Sequence, residues 1–357
     1  MPIQGFVRLR RHQFGRQQAF QAKESATCAY PFTGVPTNDL GWTDPEVDVG
    51  SRDPVAAPFR GPEDLTAALT DNALAYNNLC LMHAAFFGGH EGPTPSGSSY
   101  SWTWTPTSTT VQEPDVFTYE FGDDVITDWF QMGDGILESV EFTGPEGLGP
   151  LTVSMGWRFG STSSTGSTDD PVDGTVPTPG LDPQTDDVIV YLKDMAIYIA
   201  DSVAGLSGGQ ITDALHTFVM RWNQEIDQKR FANGSQNFDI DAYGPGARSI
   251  ELECSWAKTP QTVGLTSEAD DWMSDEAVTR IVQLKFIAVP EASAGIPYSW
   301  TVSFPMRYYT REEGEVGGNT IVVLTGHAFY DPDDFNGVFS STVVNTLSEA
   351  ELGLAYS

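Results

Sequence analysis

Several patterns that define common protein classes are missing from this sequence of 357 residues. It has no run of about 18 apolar residues, so no helical segment is long enough to span a membrane. Its basic N-terminus, MPIQGFVRLRRHQFGRQQ, is not followed by an apolar stretch and does not match a secretory signal peptide. We therefore expect neither a membrane-spanning segment nor a secretory leader.

Cysteine is scarce, with only three residues at distant positions: Cys28, Cys80 and Cys254. An odd number at such spacing fits neither a disulfide framework nor a zinc-binding pattern. The pattern favours small, buried thiols in a reducing compartment.

Motifs of the common enzyme classes are absent as well. There is no GxSxG nucleophile elbow and no P-loop, and the glycine-rich runs at 88–97 and 144–149 lack the context of a phosphate site. The segment DPDDFNG at 331–337 resembles a calcium loop, but Phe335 occupies its fifth position and the required glutamate is missing. The histidines form no metal-ligand pair: His12, His83, His90, His216 and His327. We expect no enzyme activity, no cofactor, no metal, and a core position for His83.

Basic residues are few, since 49 acids stand against 18 Lys and Arg and give a formal net charge of −31. Proteins hold DNA by using Lys and Arg to displace counterions from phosphates, so a surface this acidic repels nucleic acid. Two interpretations follow. The acidity serves solubility or adaptation to salt, or the protein stays close to DNA without binding it.

The charge is also unevenly distributed along the chain. Residues 1–22 contain four arginines and no acid, whereas residues 61–157 contain fourteen acids and no Lys or Arg. Either the basic terminus is exposed without a partner, or the basic arm of one copy contacts the acidic body of the next. The candidate arm residues are Arg8, Arg10, Arg11 and Arg16. The candidate acidic residues are Glu113, Asp115, Glu120, Asp123, Asp124, Asp128, Asp134, Glu138 and Glu141.

Alternation of apolar and polar residues recurs through the chain. At 151–159, 249–256 and 298–306 one face is apolar and the other polar, the pattern of a strand with one buried face. The pattern predicts a mainly β protein, an antiparallel two-sheet sandwich or barrel. Less regular strands are expected at 5–11, 99–105, 116–121, 136–143, 188–200, 215–223 and 320–330.

One helix is predicted among these strands, at about 63–87. It follows Gly61-Pro62, begins with two acids and precedes Gly88-Gly89, all typical of helix boundaries. The pair Asp71-Asn72 is a point at which it could split in two. We expect this helix to cover one open end or face of the sheets.

A polar segment divides the chain. Between residues 160 and 187, 24 of 28 residues are Gly, Ser, Thr, Pro or Asp, a composition that cannot form a core. The predicted organisation is a basic arm and extended segment at 1–60, a first strand-rich half at 61–159, a loop or linker at 160–187, and a second strand-rich half with C-terminal strands at 188–357.

Six segments spread over most of the chain carry a resemblance to a known family. They are VRLRRHQFGRQ at 7–17, YEFGDDVITDW at 119–129, GDGILESVEFTG at 133–144, DQKRFANGS at 227–235, IPYSWTVSFPMRYYT at 296–310 and GGNTIVVLTGHAFYDPDDFNGVFSSTVVNTL at 317–347. In this order of motifs the chain resembles the tail tube (major tail) proteins of long-tailed bacteriophages, especially the larger ones of phages that infect actinobacteria.

The resemblance implies a fold in which two β-sheets pack at a steep angle and one α-helix flanks them. Six such subunits would join into a closed β-barrel ring. Rings would stack around a tape-measure protein, whose ejection leaves a channel for double-stranded DNA. The chain is long for this fold, so the segment 160–187 and parts of the second half are expected to be outward elaborations or an inserted domain.

The same resemblance implies partners and a location but no catalytic residues. The partners are further copies of the chain, the tape-measure protein, and the tail terminator and distal tail proteins at the tube ends. DNA would pass without tight binding, the candidate acids would lie at the lumen or at ring contacts, and the candidate arginines would dock one ring on the next. The location would be the virion tail, after assembly in the host cytoplasm, and no contractile sheath is expected.

Two other functions are compatible with the residues. A capsid decoration, tail terminator or distal tail ring protein shares the acidity and β content but requires no open-ended polymerisation. A carbohydrate-binding or glycoside-hydrolysing β-sandwich could use Trp102 and Trp104 as a sugar platform, although residues at i and i+2 equally fit the buried face of a strand.

Overall fold

The computed structural model describes most of the chain, and within the described residues the protein is mainly β, as predicted. The described residues are 10–18, 24–39, 42–43, 59–60, 64–88, 91–106, 114–123, 128–147, 149–164, 188–212, 214–227, 244–259, 262, 280–333, 335–352 and 354. They form twenty strands, one α-helix and two short 3-10 helices.

The elements follow one another in chain order, with the single α-helix after the sixth strand. The strands before and after it are β1 (Arg10–Arg16), β2 (Cys28–Tyr30), β3 (Gly34–Asp39), β4 (Trp42–Thr43), β5 (Phe59–Arg60), β6 (Asp64–Ala73), helix α1 (Tyr76–Phe87), β7 (Glu91–Ser96), β8 (Ser99–Trp104), β9 (Phe117–Asp123) and β10 (Asp128–Gly144). The remaining strands are β11 (Thr152–Phe159), β12 (Ser161–Ser164), β13 (Met195–Ala200), β14 (Gln210–Ile211), β15 (Leu215–Asp227), β16 (Gly244–Ala257), β17 (Arg280–Ser293), β18 (Ile296–Val316), β19 (Asn319–Ala328) and β20 (Ser340–Asn345). The 3-10 helices are Leu192–Asp194 and Val203–Gly208.

A run of antiparallel neighbours forms the centre of the fold. Across this central sheet the order is β3, β6, β11, β10, β15, β16, β19 and β18. From β18 the pairing continues in two directions, through β17 to β13 and β14, and through β20 to β8 and β7. The pairings of the described strands do not close into a ring.

The long strand β10 belongs to two parts of the sheet. Residues 128–135 of β10 pair with β9 and β12, whereas residues 136–144 pair with β11 and β15. The register shifts between Met132 and Gly135, where Asp134 has a left-handed φ of 58°. Such a bulge bends a strand, and here it lets β10 leave the central sheet and pair with β9, which in turn pairs with β1.

Strands from both sides of the predicted 160–187 linker lie in the same sheet. β10 pairs with β15 over Ser139–Gly144, so the two strand-rich halves share one central sheet. The start of the predicted loop is itself a strand, because Ser161–Ser164 pairs with residues 130–133 of β10. The rest of that segment, 165–187, lies outside the described residues.

The prediction of a helix over 63–87 is wrong in its first half. Residues 64–73 form β6, in which Leu65, Ala67 and Leu69 are buried in alternation. β6 pairs with β3 on one side and β11 on the other, and these two ladders outweigh the helix propensity of its Leu and Ala residues. Asp71, with a left-handed φ of 53°, also interrupts any helical path.

Helix α1 was predicted to cover one open end or face of the sheets, and in the structure it is buried along its whole length. All of its residues from Tyr76 to Phe87 are buried, and it lies against β8, β10, β18 and β20. Large aromatic side chains meet around it, with ring centroids 5.2 Å apart between Phe142 and Trp300. A helix enclosed on all sides is apolar on nearly every face, and in YNNLCLMHAAFF the residues after the first three are apolar except His83, whose ring nitrogens are both hydrogen-bonded.

Most of the other strand predictions are confirmed. The segments predicted at 99–105, 116–121, 136–143, 151–159, 215–223, 249–256, 298–306 and 320–330 all coincide with strands. Of the predicted strand 188–200 only residues 195–200 are a strand, because Leu192–Asp194 forms a 3-10 turn. The strand predicted at 5–11 is observed from Arg10 onward, and its earlier residues lie outside the described ones.

All three cysteines are free and buried, as predicted from their spacing. Among the described residues, no helix is long and apolar enough to cross a membrane. In the same part of the chain, no three His, Cys, Asp or Glu side chains are grouped so that they could hold a metal ion.

Candidate functional site

A row of charged and polar side chains crosses the outward face of the central sheet. Alternation along each strand turns these side chains away from the core, since Met220 and Trp222, on either side of Arg221, are buried. The row occupies directly paired positions, so each residue faces the next across neighbouring strands. Its members are Glu141 on β10, Arg221 on β15, Glu251 on β16, His327 on β19 and Arg307 on β18.

Arg221 is held by three carboxylates. Its Nε donates to Glu141 Oε2 at 2.8 Å and its Nη1 donates to Glu251 Oε1 at 2.7 Å. Glu253 Oε2 lies 3.4 Å from the same Nη1. Partial burial opposes the charged form, but the bonds to Glu141 and Glu251 outweigh it and raise the pKa of Arg221 above its ordinary value. The guanidinium is therefore charged and more than neutralised by its neighbours.

Glu251 is shared between Arg221 and a pair of stacked rings. Tyr309 donates its hydroxyl to Glu251 Oε2 at 2.8 Å and stacks on His327 with ring centroids 4.3 Å apart. Burial alone would raise the pKa of Glu251, but the hydrogen bonds from Tyr309 and Arg221 lower it below its ordinary value. Burial and the bond to Glu251 raise the pKa of Tyr309 to about 12. At neutral pH the carboxylate is thus ionised and the phenol protonated.

Arg158 on β11 is held in the same way. Its Nη2 lies 3.1 Å from Glu138 Oε1 and its Nη1 lies 3.5 Å from Asp64 Oδ1. Arg158 and Arg221 are therefore both paired with carboxylates of their own subunit. We call this surface the compensated face, defined by Asp64, Glu138, Glu141, Arg158, Arg221, Glu251 and Glu253.

β18 and β19 continue past the core as a projecting hairpin. Every residue from Glu312 to Thr320 is exposed. Gly317 and Gly318, with φ of 58° and 81°, join Val316 to Asn319 in a two-residue turn that requires left-handed backbone at both positions. The acids of this projecting hairpin (312–320) are Glu312, Glu313 and Glu315.

A cleft of about 590 Å³ lies at the base of this hairpin. Tyr309 and Tyr330 line it with exposed fractions of 48% and 40%. The guanidinium carbon of Arg307 sits 4.7 Å from the ring centroid of Phe329, and Arg307 forms no ion pair with any described residue. We call it the tyrosine cleft, and its lining holds three acids beside Arg307: Asp201, Arg307, Tyr309, His327, Ala328, Phe329, Tyr330, Asp331, Pro332 and Asp333.

The four arginines of the predicted arm have different surroundings. Arg16 is 6% exposed; its Nη2 donates to Asp115 Oδ1 at 2.7 Å and its Nη1 to the Leu354 carbonyl at 2.9 Å. The prediction that Arg16 docks another ring is therefore corrected, because its side chain is used inside the subunit. Arg11 is half-buried on β1, and Arg10 is described by its backbone, which pairs with Asp123. Arg8 lies outside the described residues.

Two of the predicted acidic residues are buried. Glu120 is fully buried, and it accepts 3.1 Å bonds from the side-chain amides of Gln13 and Gln131 and from the Ala26 N–H. Asp134 is 4% exposed, and its backbone N–H donates to a Gln17 side chain at 2.7 Å. The prediction of a lumen or ring-contact role is wrong for Glu120 and Asp134, because neither reaches the surface of the subunit.

The other predicted acids divide into four groups. Glu138 and Glu141 are partly exposed on the compensated face, while Asp115 is engaged by Arg16. Asp123 and Asp128 are described by their backbones, which face each other across β9 and β10. Glu113 and Asp124 lie outside the described residues.

His83 is part of the core, as predicted. Its Nδ1 lies 2.7 Å from the Leu79 carbonyl, which can only accept, so Nδ1 carries the proton. Its Nε2 then accepts from the Ser341 hydroxyl at 2.8 Å, and Ser341 in turn accepts from Trp300 Nε1 at 3.0 Å. Burial lowers the pKa of His83 from 6.5 to about 3, although the bond to Leu79 acts in the opposite direction. This Ser–His contact is fully buried and out of reach of a substrate.

Burial and geometry also decide two other candidate sites from the sequence, a sugar platform at Trp102 and Trp104 and a calcium-like loop at 331–337. Trp102 and Trp104 are 0% and 1% exposed, so they are core residues and cannot form a sugar platform. In the segment 331–337, the Asp331 carboxylate accepts from the Asp333 N–H at 2.9 Å, and Asp331 and Gly337 exchange two backbone hydrogen bonds. This segment closes on itself as a turn.

Sequence reasoning missed the two arginines of the compensated face and Arg307 in the cleft. Each is a rare base at a polar position of a strand in a strongly acidic chain, and that pattern was readable. Their carboxylate partners could not be predicted from the sequence, since Glu141 and Arg221 are 80 residues apart and meet only through strand register.

No family model and no curated protein matches the chain. Among solved structures, the chain is similar to one described as "Tail of empty GTA particle computed with helical refinement, C6 symmetry", with 15% sequence identity and a TM-score of 0.26. The likeness covers 38% of this chain and 91% of that chain. A TM-score of this size does not establish a shared fold.

Proposed function

We propose that this chain is a structural virion protein that polymerises as stacked, hexameric rings into the tail tube of a long-tailed phage. The tube would be an acidic conduit for double-stranded DNA, built around a tape-measure protein and closed by terminator and distal tail proteins. The protein would have no catalytic role. The motif resemblance motivates this proposal, and two features of the fold support it.

The compensated face is the observation that carries the proposal. DNA is retained wherever Lys or Arg replaces the counterions of its phosphates. Arg158 and Arg221 cannot do so, because each is already bound by two or more carboxylates. Within the compensated face, carboxylates therefore hold both guanidinium groups and the net charge is negative, which suits a surface that DNA passes without being held. Arg307, at the end of the same row, is an exposed exception.

The projecting hairpin supports self-assembly. A hairpin with both faces exposed from Glu312 to Thr320 adds little to the core of a lone subunit. Exposed strands offer backbone and side-chain groups to other chains, and proteins usually cover or shorten them unless they serve in assembly. The projecting hairpin would therefore serve as a contact with the next copy in the assembly.

Shortening the hairpin tests the proposal. Deleting Glu315, Val316, Asn319 and Thr320 removes two residues from each strand and keeps the alternation of hydrogen-bonded pairs around Gly317-Gly318. We expect the variant to stay folded, with a melting temperature near that of the parent, because all four residues are exposed. We expect its assembly, followed by sedimentation velocity, to be lost. Unchanged assembly would show that the hairpin is not an assembly contact, whereas a parent chain that does not assemble at all would favour a non-polymerising virion component.

A further inference from the structure

Tyr309 presents a fixed aromatic ring in the tyrosine cleft. Its hydroxyl donates to Glu251 Oε2 at 2.8 Å, and its ring lies nearly parallel to that of His327, with an interplanar angle of 9° and centroids 4.3 Å apart. The side chain is nevertheless 48% exposed. Because these two contacts already hold the ring, a ligand that packs on it does not have to order it first.

Arg307 is the second fixed group of the cleft. Its guanidinium carbon lies 4.7 Å from the centroid of the Phe329 ring, and its side chain is exposed. Stacking on an aromatic face holds a guanidinium in one orientation and leaves its N–H groups directed to the sides. A guanidinium has no acceptor, so Arg307 offers a ligand hydrogen-bond donors only.

The three carboxylates of the cleft offer acceptors. Asp201 is bound by the Arg280 guanidinium, and Asp331 accepts from the Asp333 N–H at 2.9 Å within its own turn. The Asp333 side chain is exposed. An anionic ligand would meet these carboxylates, and a cationic ligand would meet Arg307. The mixture therefore favours a neutral ligand that both donates and accepts hydrogen bonds.

A sugar has the properties that this lining requires. Each hydroxyl both donates and accepts, so neighbouring hydroxyls can bond a guanidinium and a carboxylate at once. The C–H groups on one side of a pyranose form an apolar face that can pack on an exposed aromatic ring. Tyr309 and Tyr330 supply such rings, whereas the sugar platform predicted at Trp102 and Trp104 is buried. The cleft volume of about 590 Å³ lies within the range of roughly 300–1,000 Å³ found for small-molecule sites.

We propose that the tyrosine cleft binds a neutral oligosaccharide. Tyr309 and Tyr330 pack against the apolar faces of its rings, while Arg307 donates to hydroxyl oxygens and Asp333 accepts from hydroxyl groups. This binding activity goes beyond the proposed assembly, because the groups that carry it belong to one subunit. In an assembly of many copies, weak binding at each cleft would add up through multivalency.

Titration of the full-length chain with neutral oligosaccharides of glucose, galactose, mannose and N-acetylglucosamine tests the proposal. We expect at least one of them to bind, and Arg307→Gln and Tyr330→Ala each to weaken its binding about tenfold or more. Both side chains are exposed, so we expect melting temperatures near that of the parent. Tyr330→Phe keeps the ring and should bind within a few-fold of the parent. The matched controls outside the cleft are Phe130→Ala, an exposed aromatic, and Lys193→Gln, an exposed cation.

Failure of every saccharide to bind would overturn the proposal. Variants that bind like the parent would overturn it as well, because the sugar would then bind elsewhere. Spermidine and citrate are titrated alongside, and tighter binding of either one that is lost in Arg307→Gln or Tyr330→Ala would assign the cleft to a charged ligand instead. Assembly of the same variants, followed by sedimentation velocity, should match that of the parent, so failure of the sugar site leaves the proposed function standing.

Discussion

Arg16 joins the two ends of the described chain. Its guanidinium donates to Asp115 at 2.7 Å and to the carbonyl of Leu354 at 2.9 Å, and both Arg16 and Leu354 are buried. Tyr30 adds a second anchor by donating its hydroxyl to the Leu352 carbonyl at 2.8 Å. The C-terminal segment is thus fastened to β1 and β2, and an arginine predicted to reach another ring stabilises its own subunit instead.

Replacing Arg16 with Gln should therefore destabilise the fold. The change leaves the mostly buried Asp115 carboxylate without its guanidinium and the Leu354 carbonyl without its donor. Removing one partner of a buried ion pair costs about 3–5 kcal/mol, and we expect a loss of this size in urea unfolding. Lys193→Gln, at an exposed position, should cost less than about 0.5 kcal/mol. A similarly small loss for Arg16→Gln would show that the contacts of Arg16 with Asp115 and Leu354 contribute little to stability.

His83 should make stability depend on pH. Its pKa of about 3 in the folded protein lies below the value of 6.5 expected when the chain unfolds. Between these values the unfolded chain binds one more proton, so stability is fully present above pH 6.5 and falls as pH decreases, by about 1.4 kcal/mol per pH unit.

The measurement is the difference in unfolding free energy between the parent and His83→Gln at pH 7.5, 6.5 and 5.5. The variant loses packing and hydrogen bonds at every pH, but we expect its deficit to shrink as pH falls, because only the parent must protonate His83 on unfolding. A deficit that stays constant with pH would mean that His83 titrates alike in both states.

Arg221 should stabilise the compensated face in a salt-dependent way. Arg221→Gln leaves Glu141, Glu251 and Glu253 close together without a cation. We expect a loss of about 1–2 kcal/mol at low salt, since the network is partly exposed. The loss should fall by half or more at about 1 M salt, where the Debye length is about 3 Å. A loss that does not change with salt would assign the effect to packing of the arginine stem.

The remaining arm arginines give a prediction about assembly. Changing Arg8, Arg10 and Arg11 to Ser removes the positive charge that we expect to meet the acidic body of a neighbouring copy. Assembly of this variant should require about tenfold more protein at low salt and differ less from the parent at high salt. Assembly equal to that of the parent at low salt would show that the arm arginines do not contribute to assembly. Lys193→Ser serves as the control for loss of a cation.

Strand positions were predictable where one face alone is buried. At 151–159 the alternation matches β11 residue by residue, because burial on one side leaves a period of two in the sequence. β6 was missed since Leu65 and Leu69 are spaced equally well for a helix, and its pairing with β3 and β11 decides the outcome. The sequence around Tyr76–Phe87 was correctly predicted as helical, but its complete burial depends on the sheets that enclose it.

The candidate site was less predictable than the fold. The sequence showed that residues 113–141 are acidic, but not that Glu120 is enclosed by Gln13, Gln131 and Ala26. Those contacts depend on which strands become neighbours. The same holds for Arg221, whose carboxylate partners come from β10 and β16. Composition predicts a charged surface, and strand register determines which of its charges are already paired.

Negative-stain electron microscopy of the purified chain, over a range of protein and salt concentrations, tests the central claim most directly. The account predicts hollow filaments or stacked rings with a pore wide enough for a DNA duplex of roughly 20 Å. It also predicts more assembly at low salt than at high salt, because the arm contact is electrostatic. A monodisperse monomer at every condition, and also in the presence of a tape-measure protein, would contradict the account and favour a decoration or binding protein.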